Sequence, residues 1–81
     1  MIITEEKNVL ENFTHTQLLQ LANSGLGFTV DAKRFTHTQL LQLSNAASSS
    51  SAQITILNHS NFTHTQLLQL GNVGGGNIIL A

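Results

Sequence analysis

The sequence predicts an α/β fold in which short β-strands and short α-helices alternate and stack as a repeat solenoid. The first observation is that the nine residues FTHTQLLQL occur three times without change, at 13–21, 35–43 and 62–70. The second is that a short segment rich in β-branched residues follows each copy. The third is that the copies lie 22 and then 27 residues apart, within the period range of solenoid repeats. We therefore interpret residues 1–81 as a single repeat domain.

Each nonapeptide resembles the start of a helix. In the first copy Thr14 is a typical N-cap residue, and Gln17, three residues later, completes a capping box. The apolar residues that flank the cap fit a hydrophobic staple, and the leucines that follow form a stripe with helical spacing. The pattern predicts helices of about two turns. We expect the Phe and the two stripe leucines of every copy to form the repeat core: Phe13, Leu18, Leu21, Phe35, Leu40, Leu43, Phe62, Leu67 and Leu70.

Strands are predicted after each helix, at 27–30, 53–57 and 77–80, because these segments are short, rich in β-branched residues and bounded by turn-forming residues. A further strand is expected before the first helix, either at 2–4 or around 9–10. The segment 44–52 consists of Ser and Ala with one Asn, and we interpret it as a flexible surface loop that accounts for the longer second spacing.

The predicted topology follows from the connections. Successive strands joined by a helix are parallel, and their crossovers are right-handed. The sheet should therefore have the strand order 1-2-3-4, with the three short helices on one face. Parallel strands lie about 4.8 Å apart whereas packed helices lie about 8 to 10 Å apart, so the sheet should curve with its strands on the concave side.

Several functional classes are disfavoured by composition. The net charge is −1, and the sequence has no basic stripe for nucleic acid or for an anionic membrane surface. It has no cysteine for a disulfide or a thiolate metal site. No carboxylate follows Asp31 in the sequence, so a hydroxyl, histidine and carboxylate group is not expected, and we predict neither an enzyme nor a cofactor.

Histidines recur at one position of each copy, as His15, His37 and His64. Such a row suggests a metal site, but neighbouring helices are about 8 to 10 Å apart and zinc needs each nitrogen at about 2.0 to 2.1 Å. We therefore interpret them as surface residues of the first helical turn and expect no bound metal. His59, outside the copies, is interpreted as a turn residue.

The distribution of charge leads to a hypothesis about function. Beyond Arg34 the sequence has no Asp, Glu, Lys or Arg residue, although a free-standing surface usually carries many. The last predicted strand is uncharged and apolar, and an unprotected strand edge can pair with another chain. The expected partner is the chain itself, in a head-to-tail filament or tube. The predicted junction consists of edge-strand residues Ile2, Ile3, Ile78, Ile79 and Leu80.

An alternative is a discrete solenoid, natural or designed, that binds a ligand on its concave face. The charged cluster near the start of the chain would then be a solubilising cap. The low-charge, polar composition without cysteine favours an extracellular fibre over a cytoplasmic location.

Overall fold

The computed structural model describes residues 13–81, in which three helices alternate with three strands. The helices are α1 (His15–Asn23), α2 (His37–Ser50) and α3 (His64–Gly74). The strands are β1 (Phe28–Asp31), β2 (Ile54–Leu57) and β3 (Ile78–Leu80). They form one parallel sheet in the order β1-β2-β3, with Phe28, Ile54 and Ile78 in register. The mixed helix and strand class and the three strands after the helices are confirmed.

The three predicted helix starts are confirmed with their capping boxes. In α1 the Gln17 amide donates to the Thr14 hydroxyl oxygen at 3.2 Å, and the Thr14 amide donates to Gln17 Oε1 at 2.9 Å. The same reciprocal bonds occur at the start of α2 and of α3. These bonds satisfy two amides that a helix N-terminus otherwise leaves without a partner, so the local sequence specifies where each helix begins.

The prediction of a flexible loop at 44–52 is wrong. Helix α2 continues to Ser50, and its 14 residues exceed the predicted two turns, as do the 11 residues of α3. Alanine is the strongest helix former, and the Ser44 hydroxyl is satisfied by donating to the Leu40 carbonyl at 2.8 Å. The extension also buries a stripe at helical spacing, made by Leu40, Leu43, Ser44 and Ala47. Small side chains here fill a core position, whereas the sequence suggested that they were too small and polar to do so.

The core lies between the helices and one face of the sheet. Val30, Ile54 and Ile56 of the strands and residues of all three helices belong to one buried cluster. Four predicted core residues are fully buried, namely Leu18, Leu40, Leu43 and Leu70. Four others are partly buried against this cluster, namely Leu21, Phe35, Phe62 and Leu67. Phe13 is 38% exposed and does not belong to this buried cluster.

Alanines contribute more to this core than the sequence pattern indicated. Ala22, Ala32, Ala46, Ala47 and Ala52 are all buried. The carbonyl of Ala47 also accepts a hydrogen bond of 3.1 Å from Asn77 Nδ2, and the Ser50 hydroxyl contacts the carbonyls of Ala22 and Ala46. The bonds of Ser50 to Ala22 and of Asn77 to Ala47 join consecutive repeats near the C-termini of the helices, whereas the bond to Ala46 lies within α2.

The strand predicted before the first helix, and with it Ile2 and Ile3, falls among residues 1–12 and lies outside the described residues. The order 1-2-3-4 is therefore established only for the three strands that follow the helices. Among residues 13–81, none of the helices combines the length and the apolar character needed to cross a membrane.

Candidate functional site

The recurring histidine joins each repeat to the next. His37 Nε2–H at the start of α2 donates a hydrogen bond of 3.1 Å to the carbonyl oxygen of Gln66 in α3. Its ring also meets the ring of Phe62 edge to face, with centroids 5.7 Å apart and an interplanar angle of 83°. Because a carbonyl oxygen only accepts hydrogen bonds, the contact requires a proton on Nε2. We call this arrangement of His, Gln carbonyl and Phe ring the repeat joint.

The first and second repeats are joined in the same way. His15 Nε2–H donates to the carbonyl oxygen of Gln39 at 3.2 Å, and its ring lies 6.1 Å from the ring of Phe35 at an angle of 51°. The spacing between these repeats differs from that between the second and third, yet the joint recurs. The nonapeptide therefore carries both halves of a joint: a His toward the next repeat, and a Phe and a Gln carbonyl toward the preceding one.

The capping boxes place these groups. In every copy the His is the first helical residue, directly after the Thr N-cap, and the Phe directly precedes that cap. The Gln side chain is held in its own capping box, and its backbone carbonyl receives the His of the preceding repeat. One local motif thus sets the helix start and the inter-repeat contact together.

This geometry corrects the interpretation of the histidines as plain surface residues. His15 and His37 are half-buried and bonded between repeats, whereas His64 of the last repeat is exposed. His59 lies in a 3₁₀ turn, as predicted. The available signal was that the His is unchanged in all three copies, which helix capping alone does not require.

The two ends of the described fold differ systematically from its interior. On α3, Leu68 is 54% exposed, whereas the equivalent Leu19 and Leu41 are partly buried by the repeat that follows them. At the start of α1, Phe13 and Gln17 are exposed, whereas their equivalents in the second and third copies are half-buried by the repeat that precedes them. We call His64 and Leu68 the trailing face, and Phe13 and Gln17 the leading face.

Strand β3 extends the trailing face. Leu80 is in register with Ile56 and Val30, which are each 1% exposed, but Leu80 itself is 43% exposed. The Asn77 carbonyl and the Ala81 amide form hydrogen bonds with β2. Successive residues of a strand direct their peptide groups to opposite sides, so those of Ile78 and Leu80 point away from β2. Within residues 13–81 no strand pairs with that edge.

The three predicted edge residues of β3 therefore offer different groups to a neighbouring chain. Ile78 and Leu80 carry the outward backbone groups of β3. The peptide groups of Ile79 face β2, and its side chain lies on the sheet face away from the helices, 44% exposed. Ile79 can contribute to a junction through its side chain but not through its amide.

A surface groove of about 310 Å³ runs between α1 and α2. It is lined by Leu19, Asn23, Gln42, Asn45, Ala46 and Ser49, none of which ionises near neutral pH. In residues 13–81 no three His, Cys, Asp or Glu side chains come together as a metal-binding group. The groove presents amides and apolar groups, which suit contact better than proton transfer.

The repeat joints and the two end faces are therefore the most distinctive arrangement in the described part of the chain. Comparisons with protein-family models, with curated proteins and with solved structures found no match to this chain.

Proposed function

We propose that the chain is a self-assembling structural subunit, in which copies add head to tail and continue the β-α solenoid as a filament or tube. The observation that carries this proposal is the outer edge of β3, with which no strand among residues 13–81 pairs. Its outward peptide groups at Ile78 and Leu80 and the exposed Leu80 side chain match the groups that β1 and β2 each use to receive the next strand.

The absence of charge on this edge supports the proposal. Soluble proteins usually protect strand edges with Lys, Pro, a bulge or a covering element. The final strand has no such residue, and the sequence after Arg34 has no charged residue at all. An edge of this kind favours pairing with another chain because nothing in its side chains opposes the approach.

The difference between the two end faces of the chain also favours a head-to-tail contact, which can grow without limit. Each repeat meets its neighbour through different surfaces on its two sides, so a contact between copies of the same kind is heterologous. Heterologous contacts give rings when the rotation closes and open filaments when it does not. In this proposal β3 of one copy pairs with the edge of β1 of the next copy that no strand in residues 13–81 occupies, just as β1 pairs with β2 and β2 with β3. A strand with Ile2 and Ile3 inserted at this junction would move the two copies about 4.8 Å further apart, so it is not part of the proposal.

The test is negative-stain electron microscopy and light scattering of the purified chain at neutral pH, beside the variants Leu80→Pro and Leu80→Ala. Proline removes the outward amide, whereas alanine keeps this amide and shortens the side chain. We expect long uniform particles for the unmodified chain, far fewer for Leu80→Pro, and an intermediate loss for Leu80→Ala. A Leu80→Pro protein that forms the same particles would exclude this edge as the junction.

The other hypothesis is a discrete solenoid that binds a ligand on the concave face of its sheet. The sheet face away from the helices, where this hypothesis places the ligand, carries Thr29, Thr55 and Ile79 side by side. A monodisperse particle of one or a few chains in the same experiment would contradict the filament and favour this scaffold.

A further inference from the structure

We propose that copies of the chain are linked by a third repeat joint, in which His64 of one copy donates to the Gln17 carbonyl of the next and packs on its Phe13 ring. This inference rests on the proposed function and names the residues of its junction. The trailing face of one copy thus binds the leading face of a second copy.

The chemical argument is that both halves of the joint are present and identical to the internal ones. His64 occupies the same position after its N-cap as His15 and His37 do. Phe13 and Gln17 occupy the positions that Phe35 and Gln39 hold in the joint with His15. The internal joints form across two different repeat spacings, so the contact depends on the nonapeptide rather than on the connection.

Exposure gives an independent argument. His64 is exposed where its two equivalents are half-buried, and Gln17 is exposed where Gln39 and Gln66 are half-buried. The donor and the acceptor that lack an inter-repeat partner in residues 13–81 thus lie at opposite ends of the stack. That is the arrangement a head-to-tail contact requires.

Leucine packing extends the same joint. Leu19 of α1 lies in the groove beside Gln42 and Asn45 of α2. By the same spacing, Leu68 would lie beside Gln20 and Asn23 of the next copy. Burying this 54% exposed side chain would remove apolar area from water at each junction.

The test uses two variants that each disable one face. His64→Ala removes the donor from the trailing face, and Phe13→Ala removes the ring from the leading face. His64→Ala loses a hydrogen bond and a ring contact, and Phe13→Ala loses the ring contact and its buried apolar area, so each should weaken the junction by roughly tenfold or more. At concentrations just above the assembly threshold of the unmodified chain, each variant alone should stay monomeric by analytical ultracentrifugation.

Mixing the two variants is the decisive step. The Phe13→Ala chain keeps His64, and the His64→Ala chain keeps Phe13, so one intact joint can form between them and growth stops there. We expect an equimolar mixture to form heterodimers. His59→Ala, outside the nonapeptides, is the matched control and should assemble as the unmodified chain does.

Circular dichroism checks that each variant is folded. If Phe13→Ala is not, Phe13→Leu keeps apolar bulk but removes the ring face, and Leu68→Lys gives a second disabled trailing face. Assembly of the unmodified chain with unchanged assembly of both face variants would overturn this joint and leave the filament proposal standing. Two monomeric variants that do not dimerise when mixed would also overturn the joint. An unmodified chain that stays monomeric at all concentrations would overturn the proposed function itself.

Discussion

The imidazole of His37 and the backbone carbonyl of Gln66 are 3.1 Å apart, across the boundary between the second and third repeats. Both belong to copies of the same nonapeptide, yet each copy supplies a different half of the contact. The motif that caps a helix therefore also specifies how that helix meets its neighbour, and several measurable consequences follow.

Replacing His37 by alanine should lower the stability of the folded chain. The variant loses a hydrogen bond and an edge-to-face ring contact with Phe62, each worth about 0.5 to 1.5 kcal/mol. We expect a loss of about 1 to 3 kcal/mol in the free energy of unfolding by urea denaturation. The matched His64→Ala variant, measured below the assembly threshold, should lose much less because His64 is exposed. Equal losses would mean that the histidine acts within its own helix.

The continuation of α2 through its alanines can be tested by overpacking. Ala47 is completely buried, so Ala47→Leu should cost about 1 to 3 kcal/mol of stability. Asn45→Leu, at an exposed position of the same helix, should change stability by less than about 0.5 kcal/mol. Thermal unfolding of both variants provides the comparison. If this segment were a mobile loop, the two substitutions would have similar small effects.

Two glycines should respond to alanine in opposite directions. A Cβ at Gly27 would lie 2.7 Å from the Gln53 carbonyl oxygen in the neighbouring chain segment, so Gly27→Ala must push two backbones apart. We expect a loss of about 1 to 3 kcal/mol. Gly71 lies inside α3 with open space around its Cβ direction, and Gly71→Ala should stabilise by about 0.5 to 1 kcal/mol. Denaturant midpoints would show both shifts, and destabilisation by both variants would contradict the packing of α3.

Ionic strength should have little effect on assembly. The contacts proposed for the junction involve no Asp, Glu, Lys or Arg side chain, and screening acts only on charges. The assembly threshold measured by light scattering should therefore change by less than about twofold between 0.05 and 0.5 M sodium chloride. A steep dependence on salt would indicate instead that the acidic and basic residues among the first twelve take part in the junction.

Addition of a metal chelator should leave the melting temperature and the assembly threshold unchanged. The Nε2 atoms of His15 and His37 donate hydrogen bonds to backbone carbonyls. A nitrogen that carries this proton cannot also coordinate a metal ion. Differential scanning calorimetry with and without chelator measures the effect on folding. A clear fall in melting temperature would show that the chain binds a metal.

Local sequence patterns determined where the helices begin and which segments become strands. The pair Thr14 and Gln17, like its equivalents in the other two copies, specifies a helix start through bonds within four residues. The segments rich in β-branched residues lie close to the observed strands. Such short-range effects need no knowledge of the rest of the fold. The same patterns indicated the parallel order of the strands, because a short helical connection leaves little choice.

Only the tertiary structure decided how long α2 is and what the histidines do. A run of Ser and Ala is compatible with loop or helix, and the choice was made by burial of Ala47 and Ser44 between neighbouring elements. His37 and Gln66 are distant in sequence, and their contact depends on the stacking of two whole repeats. Phe13 differs from Phe35 and Phe62 for the same reason, because within residues 13–81 those two rings contact the His of the preceding repeat and Phe13 has no such contact. Sequence periodicity predicts the structure within one repeat, whereas the joints and the end faces depend on how neighbouring repeats pack against each other.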